Sequence, residues 1–155
     1  MAFDLALDDP ERPDVLDLLK AHAAFALSES PPDTCHFFGV ARLKAPDITF
    51  WGACREGLLY GVAALKALGS EEAELKSMHV AAARRGQGAS QALMHGLLDA
   101  ARARGYRCLW LETGTTPGFQ PALRLYRRFG FVDCEPFGDY EGSDFNAFMR
   151  LDLAG

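Results

Sequence analysis

The spacing of apolar and polar positions changes several times along the chain, and each change marks an element. Residues 3–9, FDLALDD, alternate apolar and polar side chains and predict a strand. Asp9-Pro10 breaks it. From Arg12 to Leu27, apolar residues at Val15, Leu18, Leu19, Ala23 and Leu27 follow a helical period. SESPPD (28–33) is a breaker cluster, and GVARLKAP (39–46) admits a helical turn ended by Pro46. DITFWGAC (47–54) and GLLYGVAALKAL (57–68) are rich in β-branched and aromatic or long apolar residues. They predict two strands joined by a hairpin turn at REG (55–57). EAELKSMHV (72–80) predicts a third strand of this group.

Within that last strand the apolar phase slips. Leu75 is odd, whereas Met78 and Val80 are even. A regular strand keeps one phase on one face, so a β-bulge near Ser77 explains the slip, as does a strand buried on both faces. Residues 86–104 then read as a helix, with Ala89, Ala92, Leu93, Gly96, Leu97, Ala100 and Ala101 on one face. Arg102 and Arg104 suit its C-terminus and Gly105 its end. YRCLWLET (106–113) is a strand, GTTPGFQP (114–121) a loop, and 121–129 a short helix with Pro121 in its first turn. FVDC (131–134) and FNAFMRLDL (145–153) are the final strands. The order is β-α-(α)-β-β-β-α-β-α-β-β in a single domain over residues 1–155. It predicts a mixed α/β fold with an antiparallel front half and one βαβ crossover.

The start of the 86–104 helix carries an anomaly. Arg84 and Arg85 stand where the positive end of a helix dipole disfavours cations, and no acidic residue follows until Asp99. The first amides of a helix lack intrahelical partners, and glycines let a ligand approach them. RRGQG therefore suits a phosphate-bearing ligand, or else it is a solvated basic turn shaped by Gly86 and Gly88. It is neither a Walker loop nor a complete GxGxxG fingerprint.

Composition narrows the classes. A net charge of −5 argues against nucleic acid as the main partner. No apolar run approaches the roughly 18 residues of a membrane span, and the acidic N-terminus is no signal peptide. No membrane partner and a cytoplasmic location are expected. Cys35, Cys54, Cys108 and Cys134 are scattered and read as reduced thiols. His22, His36, His79 and His95 have no metal-ligand spacing.

The segment from Leu75 to Phe137 resembles the core of the GCN5-related N-acetyltransferase (GNAT) superfamily. Its acyl-CoA loop, [QR]xxGx[GA], is matched by Arg85-Gly86-Gln87-Gly88-Ala89-Ser90, with serine in the last position. ALRLYRRFGF (122–131) is similar to the family's second motif, and the element order agrees over nearly the whole chain. The resemblance implies a central, mostly antiparallel twisted sheet of about seven strands flanked by helices. It also implies acetyl-CoA as cosubstrate and an amine as acceptor. Arg85 to Ser90 would bind the coenzyme A pyrophosphate, and Met78, His79 and Val80 the acetyl and pantetheine groups.

Acyl transfer to an amine also needs a proton acceptor and a donor to the departing thiolate. The resemblance gives Tyr126 the donor role, although Tyr126 also lies on the apolar stripe of Ala122, Leu125 and Phe129. Glu74 is the first candidate for the base, with an exposed pair to Lys76 as the alternative, and His79 is a second candidate. Glu112 and Thr113, at a strand end, are candidates for the acceptor, as is Tyr140 in the acidic stretch FGDYEGSDFN with Asp139, Glu141 and Asp144. The expected activity is acetyl transfer to a small molecule or peptide amine. The alternatives are a silent acyl-CoA-binding sensor and a transferase of another short acyl group. Phe145, Phe148, Met149 and Leu151 on the last strand raise the expectation of a homodimer.

Overall fold

The computed structural model describes residues 3–29, 40–138 and 140–153. Its strands are β1 (Asp4–Leu7), β2 (Ile48–Arg55), β3 (Leu58–Ala67), β4 (Glu72–Val80), β5 (Cys108–Gly114), β6 (Val132–Asp133) and β7 (Asn146–Asp152). Its helices are α1 (Pro13–Glu29), α2 (Val40–Leu43), α3 (Ala89–Ala103) and α4 (Gln120–Arg128). The strands form one sheet in the order β1-β2-β3-β4-β5-β7-β6. Only β4 and β5 run parallel, and α3 makes the crossover between them. This is the expected element order and architecture.

Local chemistry explains the boundaries. Arg55 pairs with Leu58, leaving Glu56 and Gly57 as a two-residue hairpin loop. Both adopt positive φ (54° and 77°), as a loop matched to the strand twist requires. The helix expected from 86 begins three residues later, at Ala89. Residues 82–84 form a 3₁₀ turn and Arg85 is extended (φ −69°, ψ 156°). Gly86 and Gly88 at φ 78° and 89° cannot belong to a right-handed helix.

Two apolar layers hold helices on opposite faces of the sheet. One joins Leu93, Leu97 and Ala101 of α3 and Leu123 and Tyr126 of α4 to Leu65, Leu75, Leu109, Leu111 and Met149. The other joins Val15, Leu18 and Leu19 of α1 and Leu43 of α2 to Phe50, Val62 and Ala64. Alternation along β3 sends Ala63 and Leu65 to the first layer and Val62 and Ala64 to the second. The buried stripe of α3 also includes Met94 and Leu98, and Ala92 and Ala100 sit at its border.

The bulge expected near Ser77 is present. Val62 pairs with His79 but Ala64 pairs with Lys76, so two residues of β4 oppose Ala63. Ser77 takes φ 57°, a left-handed conformation unusual for a residue with a Cβ. The extra residue turns Met78 and Val80 toward the layer that already holds Leu75. His79 consequently faces α1.

The apolar residues of β7 are largely consumed inside the chain. Phe148 and Met149 are buried and Leu151 is half-buried, while Phe145 is 43% exposed. Met149 packs in the layer that holds α3 and α4, and Phe148 packs on Phe137 and Tyr140.

Candidate active site

β4 and β5 pair from Glu72/Cys108 to Leu75/Leu111, and the pairing then stops. β4 continues to Val80 and β5 to Gly114. The two strand ends part there and line a cleft of about 510 Å³, closed by α1, the residues before α3, the 117–119 turn and α4. Backbone groups on the parting edges have no partner from the opposite strand, so they are available to a ligand.

At one end the cleft meets the start of α3. Arg84, Arg85, Gly86, Gly88, Ala89 and Ser90 line it. Gly88 is the N-cap and no side chain caps the helix, so its first amides keep their hydrogen-bonding capacity. A Cβ at Gly86 or Gly88 would meet nothing within 4 Å, which leaves open space over both residues. Free amides, the helix dipole and two guanidinium groups together suit an anion such as a pyrophosphate. Gln87 is not among the lining residues. Its Oε1 accepts from Arg55 Nη2 at 2.9 Å and lies 3.5 Å from the Tyr60 hydroxyl. Arg55 and Arg84 each stack on Tyr60, both 4.9 Å from the ring centre. The loop is thereby anchored to the β2–β3 hairpin through Gln87 and Arg84. The arginines that looked misplaced in a helix lie before it.

The middle of the cleft is lined by Met78, His79 and Val80 from β4 and by Tyr126 from α4. The Tyr126 ring is 8% exposed and packs edge-on against Phe131. Burial, with a smaller contribution from Glu112, pushes its phenol up to about 12. It therefore belongs to the core and to the cleft wall at once, and it keeps its proton at neutral pH. Ser77 also lines the cleft, and its hydroxyl is buried without a hydrogen-bond partner.

The other end carries buried charge. Glu112 and Thr113 of β5 and Lys76 of β4 line the cleft, but Glu74 and Tyr140 do not. Glu74 is 2% exposed rather than a surface glutamate. It accepts from the Tyr140 hydroxyl at 2.5 Å and pairs with Lys76 at 3.4 Å. Lys76 Nζ donates to the same hydroxyl at 2.7 Å. Burial lowers the Lys76 ammonium, against the pull of Glu74 and Glu112. Burial first, then the bond to Glu74, raises the Tyr140 phenol far above its ordinary value. Asn146 donates to Glu112 and is itself bonded to Ser143. Glu141 and Asp144 are exposed, and Asp139 lies outside the described residues.

Sequence reasoning expects the first-helix region and the 114–120 loop at the acceptor but names no residue of either. His22 and Phe25 of α1 and Phe119 of the 117–119 turn line the cleft facing His79. His22 Nδ1 lies 3.3 Å from His79 Nδ1. Phe25 packs on His79 and on Phe119, with ring centres 6.2 and 5.1 Å apart. Burial lowers both imidazoles to about 4; Lys76 adds to this for His22, and His22 and Arg85 for His79. Among the described residues no cluster of three or more His, Cys, Asp or Glu could hold a metal ion. Nor is any described helix long and apolar enough to cross a membrane. Cys54, Cys108 and Cys134 are free, and Cys35 is outside the described residues.

Known proteins share both the sequence and the shape. The sequence model of the acetyltransferase (GNAT) family matches residues 12–131. The chain is 37% identical over 149 residues to the uncharacterized N-acetyltransferase YsnE of Bacillus subtilis, covering 96% of this chain and 99% of that one. It is also 37% identical over 151 residues to the uncharacterized N-acetyltransferase YedL of Escherichia coli, covering 97% and 95%. The crystal structure of a GNAT family acetyltransferase from Elizabethkingia anophelis with acetyl-CoA bound has the same fold. That likeness has a TM-score of 0.69 at 18% identity over 97% of each chain.

Proposed function

The chain belongs to the acetyltransferase (GNAT) family, and from that premise we propose that it moves an acetyl group from acetyl-CoA to a primary amine of a small molecule or peptide. The observation that carries this reading is the parting of β4 from β5 beside an uncapped helix N-terminus. It supplies one continuous cleft with an anion site at one end and buried polar side chains at the other.

Acetyl-CoA, when bound, supplies an activated thioester. The residues lining the cleft fit it. Arg85, Gly86, Gly88, Ala89 and Ser90 hold the pyrophosphate through amides and charge, and Gln87 fixes their loop from behind. Met78, His79 and Val80 offer the unpaired edge of β4 to the pantetheine and acetyl groups. Backbone amides there stabilise negative charge that develops on the carbonyl oxygen. Tyr126 is the acid: its phenol is protonated at neutral pH and lines the cleft, so it can donate to the departing thiolate. Glu112 and Thr113 receive the acceptor, with the Glu112 carboxylate suited to an ammonium group. Glu74 and Tyr140 act through Lys76, whose charge and position they hold.

The protein is read as cytoplasmic, in keeping with its free thiols. Association into a homodimer keeps Phe145, in the turn just before the last strand, as its exposed apolar support, and light scattering at micromolar concentration tests it. The activity itself is tested by thiol release from acetyl-CoA against a panel of alkylamines, polyamines, amino acids and peptides. Turnover with at least one amine is expected. Tight coenzyme A binding without turnover on any of them would identify a sensor instead, and a preference for propionyl- or succinyl-CoA would revise the acyl group.

A further inference from the structure

The two histidines at the α1 wall have a geometry that packing alone does not require. His22 comes from α1 and His79 from β4, 57 residues apart, yet their Nδ1 atoms meet at 3.3 Å with the rings edge to face. Two neutral imidazoles so placed share one proton between the facing nitrogens, one donating and the other accepting. Their tautomers are therefore coupled, and each Nε2 is fixed in role by the other ring. His79 is also two residues past the bulged Ser77 and lines the cleft next to Met78 and Val80. The carboxylates nearby are otherwise engaged. Glu74 does not line the cleft, and Glu112 accepts from Asn146.

We propose that His22 and His79 form a two-imidazole relay that takes the proton from the acceptor amine at His79 and passes it through His22 out of the cleft. The inference rests on the N-acetyltransferase reading above. The acceptor ammonium first gives one proton to His79 Nε2, the His79 Nδ1 proton crosses to His22 Nδ1, and His22 releases its Nε2 proton to solvent, which leaves a neutral amine. As the C–N bond then forms and the thioester C–S bond breaks, Tyr126 gives its proton to the departing thiolate, and the second proton of the nitrogen returns to Tyr126 through water. The products are the amide, the free thiol and the one proton released to solvent, so the exchange balances.

The surroundings favour a relay over a stored charge. Phe25 and Phe119 cover the pair with apolar rings. The charged groups acting on the pair are cations, Lys76 on His22 and Arg85 on His79. Both oppose a lasting imidazolium, and burial adds to that opposition. The pair is neutral throughout the physiological range and able to accept. A proton taken from the amine is then driven onward rather than held.

The experiment compares two acceptors with the intact protein. Propylamine is a cation at pH 7.5 and must shed its proton; methoxyamine is already neutral and is a weak base. His79→Gln keeps a polar side chain of similar size but cannot accept a proton. It should lower acetyl transfer to propylamine by about 10²-fold and transfer to methoxyamine far less. His22→Asn, which acts through His79, should show the same selective loss at about 10-fold. Coenzyme A affinity by calorimetry should hold in both variants, which excludes unfolding. Imidazole ¹⁵N spectra of the wild type with coenzyme A bound should show one Nδ1–H and one Nε2–H tautomer. Equal losses on both amines, no loss on either, or identical tautomers in the two rings would overturn the relay. A wild type that binds coenzyme A but acetylates neither of these amines nor any amine of the panel above would overturn the transferase reading and the relay with it. Unchanged variants of an active wild type would overturn the relay alone.

Discussion

The two halves of the β4–β5 pair teach more together than either does alone. Over Glu72–Leu75 and Cys108–Leu111 the strands are hydrogen-bonded, and Leu75, Leu109 and Leu111 join the apolar layer beneath α3 and α4. Beyond Leu75 and Leu111 the same strands part and present Lys76, Ser77, His79 and Glu112. The change takes place within one residue. The paired half stabilises by excluding water from apolar surface and satisfying backbone groups. The parted half leaves backbone groups unpaired and ionisable side chains buried or half-buried, which is costly unless a partner or a ligand answers them. A fold that stores its binding capacity in this way separates stability from function along one pair of strands.

That separation can be attacked from either side. The largest effect is expected in the paired half. Leu109 is 1% exposed in the core, so Leu109→Ala should cost about 2–5 kcal/mol in chemical denaturation. Coenzyme A affinity of the folded fraction should hold, and a parallel loss of affinity would show that the two halves are not separable.

Acid should act on the parted half. An imidazole held at about 4 when folded and near 6.5 when unfolded favours the folded state above pH 6.5. That stability is lost as pH falls from 6.5 toward 4, because the unfolded chain binds the proton first. The loss is on the order of 3 kcal/mol for one imidazole. Thermal unfolding between pH 7 and 4.5 should be less pH-dependent in a His22→Asn, His79→Gln double variant than in the wild type. Identical pH slopes would remove the histidines from the account.

Tyr126→Phe separates the dual position of that ring. The aromatic body still packs, so stability should change by less than about 1 kcal/mol, while turnover falls about 10²-fold. Unchanged turnover when chemistry limits the rate would leave Tyr126 as core alone. Gly88→Glu puts a negative side chain where phosphate is received and forces a Cβ into φ 89°. Coenzyme A affinity should drop at least about 10-fold, with a strain cost near 1–2 kcal/mol. Calorimetry with undiminished affinity in the folded variant would move the anion site elsewhere. Tyr140→Phe is the mildest. It removes the hydroxyl between Glu74 and Lys76 and should cost about 1–2 kcal/mol, a few degrees in melting temperature. A variant as stable as the wild type would mean that Glu74 and Lys76 satisfy each other directly.

Much of this was written locally. Period two and period 3.6 are properties of the chain's own geometry, so hydrophobic spacing sufficed for the order of elements, the REG hairpin and the α3 crossover. The phase slip was legible for the same reason, but it fits a bulge or a strand buried on both faces; that Leu75, Met78 and Val80 share one layer, with a residue looped out between them, is decided by the fold. The start of α3 was misjudged because Gly86 and Gly88 are compatible with a weak helical pattern until their positive φ is known. The anion loop was legible from the glycines and arginines in RRGQG, but the outward turn of Gln87 depends on Arg55, from a different hairpin.

Pairings across the fold were decided by the tertiary structure alone. Glu74 reads as a base facing the acetyl group or as an exposed partner of Lys76, and it is buried away from the cleft lining, where Tyr140 comes against β4. His22 carries no local signal at all; it meets His79 only because α1 packs over the sheet where the bulge turns β4. Spacing along a chain encodes which face a residue takes, since that depends on neighbours within a turn or a pleat. Which partner waits on that face depends on closing loops of dozens of residues, and its burial and protonation follow from that partner.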